Sequence, residues 1–174
     1  MNIFDVIHDN FEPFLDGEIR PLNIMEAANL WYFLAISETT MRNEEVAYNL
    51  AQDKELRDKL WDAKVSVHQP IAKEIQEFLL KEKVPLPKGT PPKPAAAYQL
   101  PEGAKFNDQE IANLMSFNLL LGITFAARGL TESVRSDVGL IFFKVIVRKT
   151  LFGASVKKLM AQRGWLNYSP AFKA

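Results

Sequence analysis

The sequence predicts an all-α protein, a four-helix bundle with a long crossover between its second and third helices. Three observations carry that expectation. Four segments repeat apolar residues at the three–four alternation of a helix face. The first three each follow an Asn or Asp suited to cap a helix. Finally, 6 of the 10 prolines fall in one stretch, residues 84–106, between the second and third segments.

Asn23 caps the first helix, and Glu26 is placed to reach back to the cap amide. From there to about Leu50 no Pro or Gly interrupts, and Ala27, Leu30, Trp31, Leu34, Met41 and Tyr48 mark the inner face. A break at Ala51–Gln52 and a cap at Asp53 start a second helix, which extends to about Lys83. Its inner stripe reads Leu56, Leu60, Val67, Ile71, Ile75, Phe78 and Leu79. Pro70 lies inside it, where a missing amide and a ring clash predict a kink.

Residues 84–106 (VPLPKGTPPKPAAAYQLPEGAKF) suit polyproline-like extension, not a helix or strand. A 28-residue helix is about 42 Å long, whereas 23 extended residues span roughly 70 Å. The segment can therefore run the length of a bundle and start the third helix beside the origin of the second. A tight turn, a long crossover and a second tight turn is the ferritin-like arrangement.

Asn107 and Glu110 form the capping box of the third helix, with Phe106 and Ile111 as a hydrophobic staple. Residues 111–127 carry no charge. That stretch is short for a membrane span and contains Asn113, Ser116, Asn118, Gly122 and Thr124, so a helix buried on most sides is expected and no membrane span. Residues 129–136 read as the turn, with Ser136 as the next cap. The fourth helix runs from about Asp137 to Gln162 and stops at Gly164. Its stretch LIFFKVIVRKTLF suits a strand when read alone. However, Val138, Phe142, Val145, Phe152, Val156 and Leu159 keep a/d spacing, while Lys144, Arg148, Ser155, Lys158 and Gln162 line another face. The chain thus divides into an N-terminal extension (1–22), one bundle domain (23–163) and a C-terminal tail (164–174). No repeat at solenoid spacing is present.

Composition narrows the chemistry. With 0 cysteines there are no disulfides, no thiol nucleophile and no Cys-ligated metal. The acidic N-terminus lacks a basic region followed by an apolar core, so no signal peptide and a cytoplasmic location are expected. A ferritin-like di-metal site needs one Glu from each of two helices and a Glu-x-x-His from each of the others. Glu-x-x-His occurs nowhere, and the third helix has nothing charged between Glu110 and Arg128. A reduced site for a single divalent metal remains on Glu38, His68 and Asn118, since Glu38 and His68 lie at similar depth on either side of the turn near residue 52. The plainer and preferred reading is a core histidine paired with one carboxylate. His8 and His68 are the only histidines, which excludes three-histidine centres. No phosphate loop or nucleophile elbow appears, and no catalytic residues are assigned. Trp31, Tyr32, Phe33, Phe142 and Phe143 read as core. Gly122, Gly129, Gly139 and Gly153 either leave room for a small apolar ligand or permit close helix packing.

The 21 basic and 21 acidic side chains cancel, yet they are sorted along the chain. Residues 1–62 hold 13 acids and 5 bases (−8), residues 63–127 hold 6 and 7 (+1), and residues 128–174 hold 2 and 9 (+7). With zero net charge and no recognition motif, nucleic-acid binding is not expected. The two charged halves are expected to face each other within one molecule or across a homodimer, or to meet a protein partner.

Four strings carry a resemblance: GEIRPLNIMEAANLWYFLAIS (17–37), LAQDKELRDKL (50–60), VHQPIAKEIQEFLLKEKVPLPKG (67–89) and KKLMAQRGWLNYSP (157–170). Together they resemble an uncharacterised family of ferritin-like four-helix bundles from spore-forming bacteria, labelled spore-coat-F-like or coat proteins. Pro70 and the long apolar third helix depart from the family pattern. The resemblance implies the bundle fold and a structural or interaction role related to sporulation, and it transfers no catalytic residues. A metal-binding protein and a small apolar-ligand carrier are the alternatives.

Overall fold

The computed structural model of the chain describes residues 20–97 and 100–172. Residues 1–19, which hold most of the expected N-terminal extension and His8, lie outside that range. Among the described residues there are four long helices and no strand. Helix α1 is Ile24–Leu50. Helix α2 comprises three consecutive segments: Lys54–Asp62, a π-helical stretch Ala63–His68, and Gln69–Lys81. Helix α3 is Asp108–Glu132 and α4 is Ser136–Gln162. A single 3₁₀ turn, Glu102–Ala104, precedes α3.

The helix ends show how the elements are joined. The first amides of a helix have no partner within it. At the start of α1, Asn23 Oδ1 accepts from the amides of Met25 and Glu26 at 2.9 Å, and Glu26 Oε2 accepts from Asn23 N at 3.1 Å. The other oxygen of the buried Glu26 carboxylate reaches across the molecule. It accepts from Val134 N at 2.8 Å and Arg135 N at 2.7 Å, in the turn between α3 and α4. Beside it the Arg135 guanidinium pairs with Asp137 and with Glu82 at the end of α2, and stacks 5.3 Å over Phe78. At the opposite end Asp108 plays the corresponding part. Its two oxygens accept from Gln52 N and Asp53 N, both at 2.8 Å, which ties the α1–α2 turn to the start of α3. Arg163, at the end of α4, bonds Asp53 and Glu55. Its guanidinium holds the Asp53 carboxyl below its ordinary range.

These ties fix the topology. From the Glu26 end α1 runs to the Asp108 end and α2 returns. The chain then passes along α1 once more before α3 descends and α4 rises. Residues 84–97 have neither helix nor strand. Five of them are prolines, which cannot donate, so α1 side chains serve the carbonyls: Trp31 Nε1 donates to Pro85 O at 3.0 Å, Arg42 to Thr90 O at 3.1 Å and Asn49 Nδ2 to Pro94 O at 3.0 Å. Glu45 accepts from Lys93 N and pairs with Lys64 of α2 at 2.8 Å. Burial works to raise the Glu45 pKa, but these partners and Arg42 outweigh it and hold the carboxyl low.

Two sequence expectations change here. Helix α3 does not stop near Ala127 but continues to Glu132, supported by the Arg128–Glu132 pair one turn apart. Gly129 is an interior position of this turn: a Cβ there would lie 2.5 Å from the Phe142 ring, so only glycine lets α4 approach so closely. Nor is Ser136 the cap of α4. That helix begins at Ser136 with Arg135 in the cap position, because Glu26 draws the two preceding amides inward.

The core is one cluster of buried side chains from all four helices, including Leu30, Leu34, Leu56, Leu60, Ile75, Leu79, Val138 and Phe142. Full burial of each such side chain contributes about 1.5–3 kcal/mol. Phe33 and Phe142 meet edge to face at 6.1 Å. The expected kink in α2 takes the form of the π-helical segment. The chain's C-terminal stretch returns to the core through Trp165 and Leu166 after Gly164 (φ 70°) closes α4.

Removing the Glu26 carboxylate strands three amides, two of them across the molecule and one of those, Arg135 N, buried. Glu26→Ala is expected to lower stability by about 2–4 kcal/mol and Glu26→Gln by less, since one acceptor remains; urea denaturation measures both. Gly129→Ala is expected to cost about 1–3 kcal/mol through overpacking against Phe142, read as a lower melting temperature.

Candidate functional site

The middle of the bundle is a layer to which each helix gives one residue. Its formation begins with Pro70. A proline more than four turns into a continuous α-helix that starts at Lys54 would clash with the carbonyl four residues back and leave it without an amide. Here the preceding turn widens: Gln69 N reaches five residues back to Lys64 O, and Pro70 is the second residue of the next α segment, where its missing N–H does no harm. The widening also resets the helix phase. Ala63, Val67, Ile71, Ile75 and Leu79 are all buried at steps of four, whereas an α-helix drifts about 40° per such step. The π turn absorbs much of that drift and brings His68 inward beside Val67. Trp61 and Val65, before and within the π turn, are 52% and 40% exposed.

The partners of His68 differ from those the sequence suggested. Glu38 is not one of them; its carboxylate accepts from Gln76 Nε2 at 3.0 Å and lies against Gly89, where a Cβ would come within 2.5 Å of it. Instead His68 Nε2 lies 3.2 Å from Glu44 Oε1 and 3.3 Å from Lys149 Nζ. Glu44, His68 and Lys149 are 6%, 2% and 2% exposed. From α3 the facing residue is Gly122: a Cβ there would lie 3.0 Å from Lys149 Cε and Nζ, so its absence makes room for the ammonium. Asn118, one turn earlier on α3, lines the same cavity as His68 and Lys149.

One ring nitrogen cannot serve both neighbours. If Nε2 carries the proton it donates to Glu44 and turns a donor toward the ammonium. If it does not, it accepts from Lys149 and presents a lone pair to the carboxylate. Glu44 Oε2 and His68 Nδ1 are both buried without a hydrogen-bond partner among the described residues. Burial pushes the Lys149 pKa down to about 8, against the opposing pull of the Glu44 charge. The layer therefore brings buried ionisable groups together with too few partners among the described residues.

Cavities flank it in the seam between α1 and α3. One of about 170 Å³ is lined by Phe33, Ile36, Leu121 and Phe125, with Lys149 and His68 at its floor. A second, of about 340 Å³, is lined by Val46, Leu50, Ile111 and Leu114, with Glu44 and Asn118 where it nears the first.

A dinuclear centre does not fit these residues. No group of three or more His, Cys, Asp or Glu able to hold a metal occurs among the described residues. The positive charge beside Glu44 and His68 is instead a lysine.

Residues 13–174 match the family model described as a protein of unknown function, DUF3231. The chain belongs to that family. The family's relatives agree with the resemblance to proteins of spore-forming bacteria. The chain is 25% identical over 148 residues to the uncharacterised protein YvdQ of Bacillus subtilis (strain 168), covering 84% of this chain and 86% of that protein. A crystal structure from Bacillus halodurans C-125, described as a putative spore coat protein, is 28% identical with a TM-score of 0.85, covering 89% of this chain and 98% of that one. A conserved hypothetical protein of Mycobacterium tuberculosis shares the fold at a TM-score of 0.65 and 16% identity over 79% of this chain and 98% of that one. A two-domain Anabaena variabilis protein containing DJ-1/ThiJ/PfpI-like and ferritin-like domains matches at 0.64 and 11%, covering 86% of this chain and 40% of that one. At these last two identities the likeness speaks for the fold alone.

Sequence reasoning singled out Gly122 for its lack of a side chain but assigned neither Glu44 nor Lys149 to the site, although their signals were present. The fourth-helix series Val138, Phe142, Val145, Phe152, Val156, Leu159 skips one a/d position, and Lys149 fills it. Glu44 follows Met41 by three and precedes Tyr48 by four, on the inner stripe of α1. Gly122 stands between Leu119 and Ala126 on the buried stripe of α3.

The depressed Lys149 pKa has a definite sign. Between about pH 8 and the ordinary value of 10.5 the folded lysine is neutral while the unfolded one keeps its proton. Stability then rises with pH over that window. Relative to Lys149→Met, the wild type is expected to gain up to about 3 kcal/mol across it, measured by urea denaturation at successive pH values. Parallel curves for the two proteins would contradict this.

Proposed function

We propose that this protein is a non-enzymatic bundle that acts by association, pairing with a second copy of itself through the apolar face of α1 and α3. One observation carries the reading: both helices expose apolar stripes on the same side of the molecule. On α1, Tyr32, Ile36 and Val46 fall on one heptad-spaced line and are 57%, 44% and 39% exposed. On α3, Leu114, Phe117, Leu120 and Leu121 are between 45% and 58% exposed. Helix α3 is long and apolar enough to cross a bilayer, at a mean hydropathy of 1.4, yet only 28% of that window is buried. The expectation of a helix buried on most sides is corrected accordingly, because α3 packs on α1 and α4 from one side only. A contiguous exposed patch of this kind marks an interaction surface, and a two-fold pair covers it with its own equivalent.

The sorted charges favour association less than the sequence suggested. Arg163 pairs with Asp53 and Glu55, and Lys149 faces Glu44, so part of the basic C-terminal half is matched within one chain. The description of the Bacillus halodurans relative supports a place in spore assembly. A single divalent metal on Glu38, His68 and Asn118 has less support, since Glu38 faces Gln76 and an ammonium stands beside His68.

Light scattering of purified protein is expected to give twice the chain mass. The double variant Phe117→Lys, Leu120→Lys is expected to give the single-chain mass with an unchanged melting temperature. A wild type that is monomeric at every concentration, or a variant that still pairs, overturns the reading.

A further inference from the structure

A lysine ammonium brings three N–H donors and a full charge out of water, a cost that proteins meet by supplying partners or by shedding the proton. Among the described residues the polar neighbour within hydrogen-bond distance of Lys149 Nζ is a histidine nitrogen already shared with Glu44. Its Nζ is seated against the bare Cα of Gly122 and lines a cavity whose other walls are mostly Phe33, Ile36, Leu121 and Phe125. Along the same α1–α3 seam the larger cavity continues toward Phe106 and Leu50, with Asn118 on the wall of both. Together they fall in the size range of small-molecule sites, roughly 300–1,000 Å³. Two mostly apolar cavities that share Asn118, with one cation and one imidazole on the wall of the smaller and the Glu44 carboxylate on the wall of the larger, are complementary to a particular kind of molecule.

We infer that the α1–α3 seam binds a single-chain aliphatic monocarboxylate, whose carboxylate pairs with Lys149 and His68 and whose chain lies along the seam. Charge decides the head group. With His68 neutral, Lys149 and Glu44 cancel. An added carboxylate supplies the acceptor that the Lys149 ammonium lacks, which releases Nε2 from serving both neighbours, so that it donates to Glu44 or to the ligand. The charged groups facing this point are Glu44 from α1, His68 from α2 and Lys149 from α4, while α3 contributes Asn118 and Gly122. A divalent cation is repelled by the ammonium. A phosphate dianion brings more negative charge than Lys149 and His68 can offset beside Glu44. An uncharged alkyl chain leaves the ammonium as it was.

The cavity walls share Ile36, Val46, Leu114 and Leu121 with the proposed pairing face, and the Phe117→Lys, Leu120→Lys protein, altered outside both cavities, serves as the background that separates the two readings. The probes are dodecanoate and dodecanol, titrated calorimetrically into purified full-length protein freed of lipid. Dodecanoate is expected to bind one per chain and to bind more tightly than dodecanol. Its affinity is expected to fall from one pH unit below the Lys149 value of about 8 to one unit above it, while that of dodecanol stays constant. Lys149→Met is expected to weaken dodecanoate at least roughly ten-fold and leave dodecanol unchanged. Ile36→Trp, at a 44% exposed position on the cavity wall, is expected to weaken both, with an unchanged melting temperature as the check that the variant is folded. No saturable dodecanoate binding to folded wild type overturns the inference, as does equal binding by Lys149→Met or indifference to pH.

Discussion

The bundle depends on the obligation of every helix to pair its terminal amides. The apolar stripes alone would let four helices slide and rotate against one another, because burial is not directional. A carboxylate that accepts amides from two chain segments permits only one relative position. Glu26 does this at one end, joining the α1 cap to the α3–α4 turn, and Asp108 does it at the other, joining the α1–α2 turn to α3. Arg135 and Arg163 then bring α2 and α4 to the same two points. With the ends fixed, the residues at mid-height on each helix meet in one layer.

That layer is where the fold departs from economy. Elsewhere the core is leucine, isoleucine, valine and phenylalanine, with Gly129 cut back to fit the Phe142 ring. At mid-height the same inner positions carry Glu44, His68, Gly122 and Lys149. Buried charges of this kind add little to stability and are often replaceable by apolar side chains without loss. Their presence beside a cavity, with two polar atoms unpartnered, fits a binding role better than a structural one. The π turn of α2 serves the same place, since without it the helix phase would carry His68 toward the surface.

Much of this was legible in the chain. Caps at Asn23, Asp53 and Asn107, the two capping boxes and the stop at Gly164 are local chemistry, readable within four residues. Pro70 announced an irregularity in α2, though not that it would widen the turn instead of bending it. The choice of Glu38 over Glu44 as the histidine's partner went astray because counting residues from the turn compares depth alone. The two carboxylates are about 9 Å apart in rise and about 120° apart around the helix, and the π turn alters the azimuth of His68 itself. The third helix misled for a different reason: its lack of charge suggested burial, whereas Leu114, Phe117, Leu120 and Leu121 face outward.

The sequence by itself determined the helices, their order and the long proline-rich connection, because propensity, capping and periodicity act over one or two turns. It also determined what was missing, since a di-metal site requires residues that the chain does not contain. Only the tertiary structure decided which polar side chains meet. Contacts such as Glu26 with Arg135 or His68 with Lys149 join residues far apart in sequence, and their distances depend on helix phase to within a fraction of a turn. A periodicity read along the chain fixes that phase for one helix at a time; packing four of them together fixes it for all.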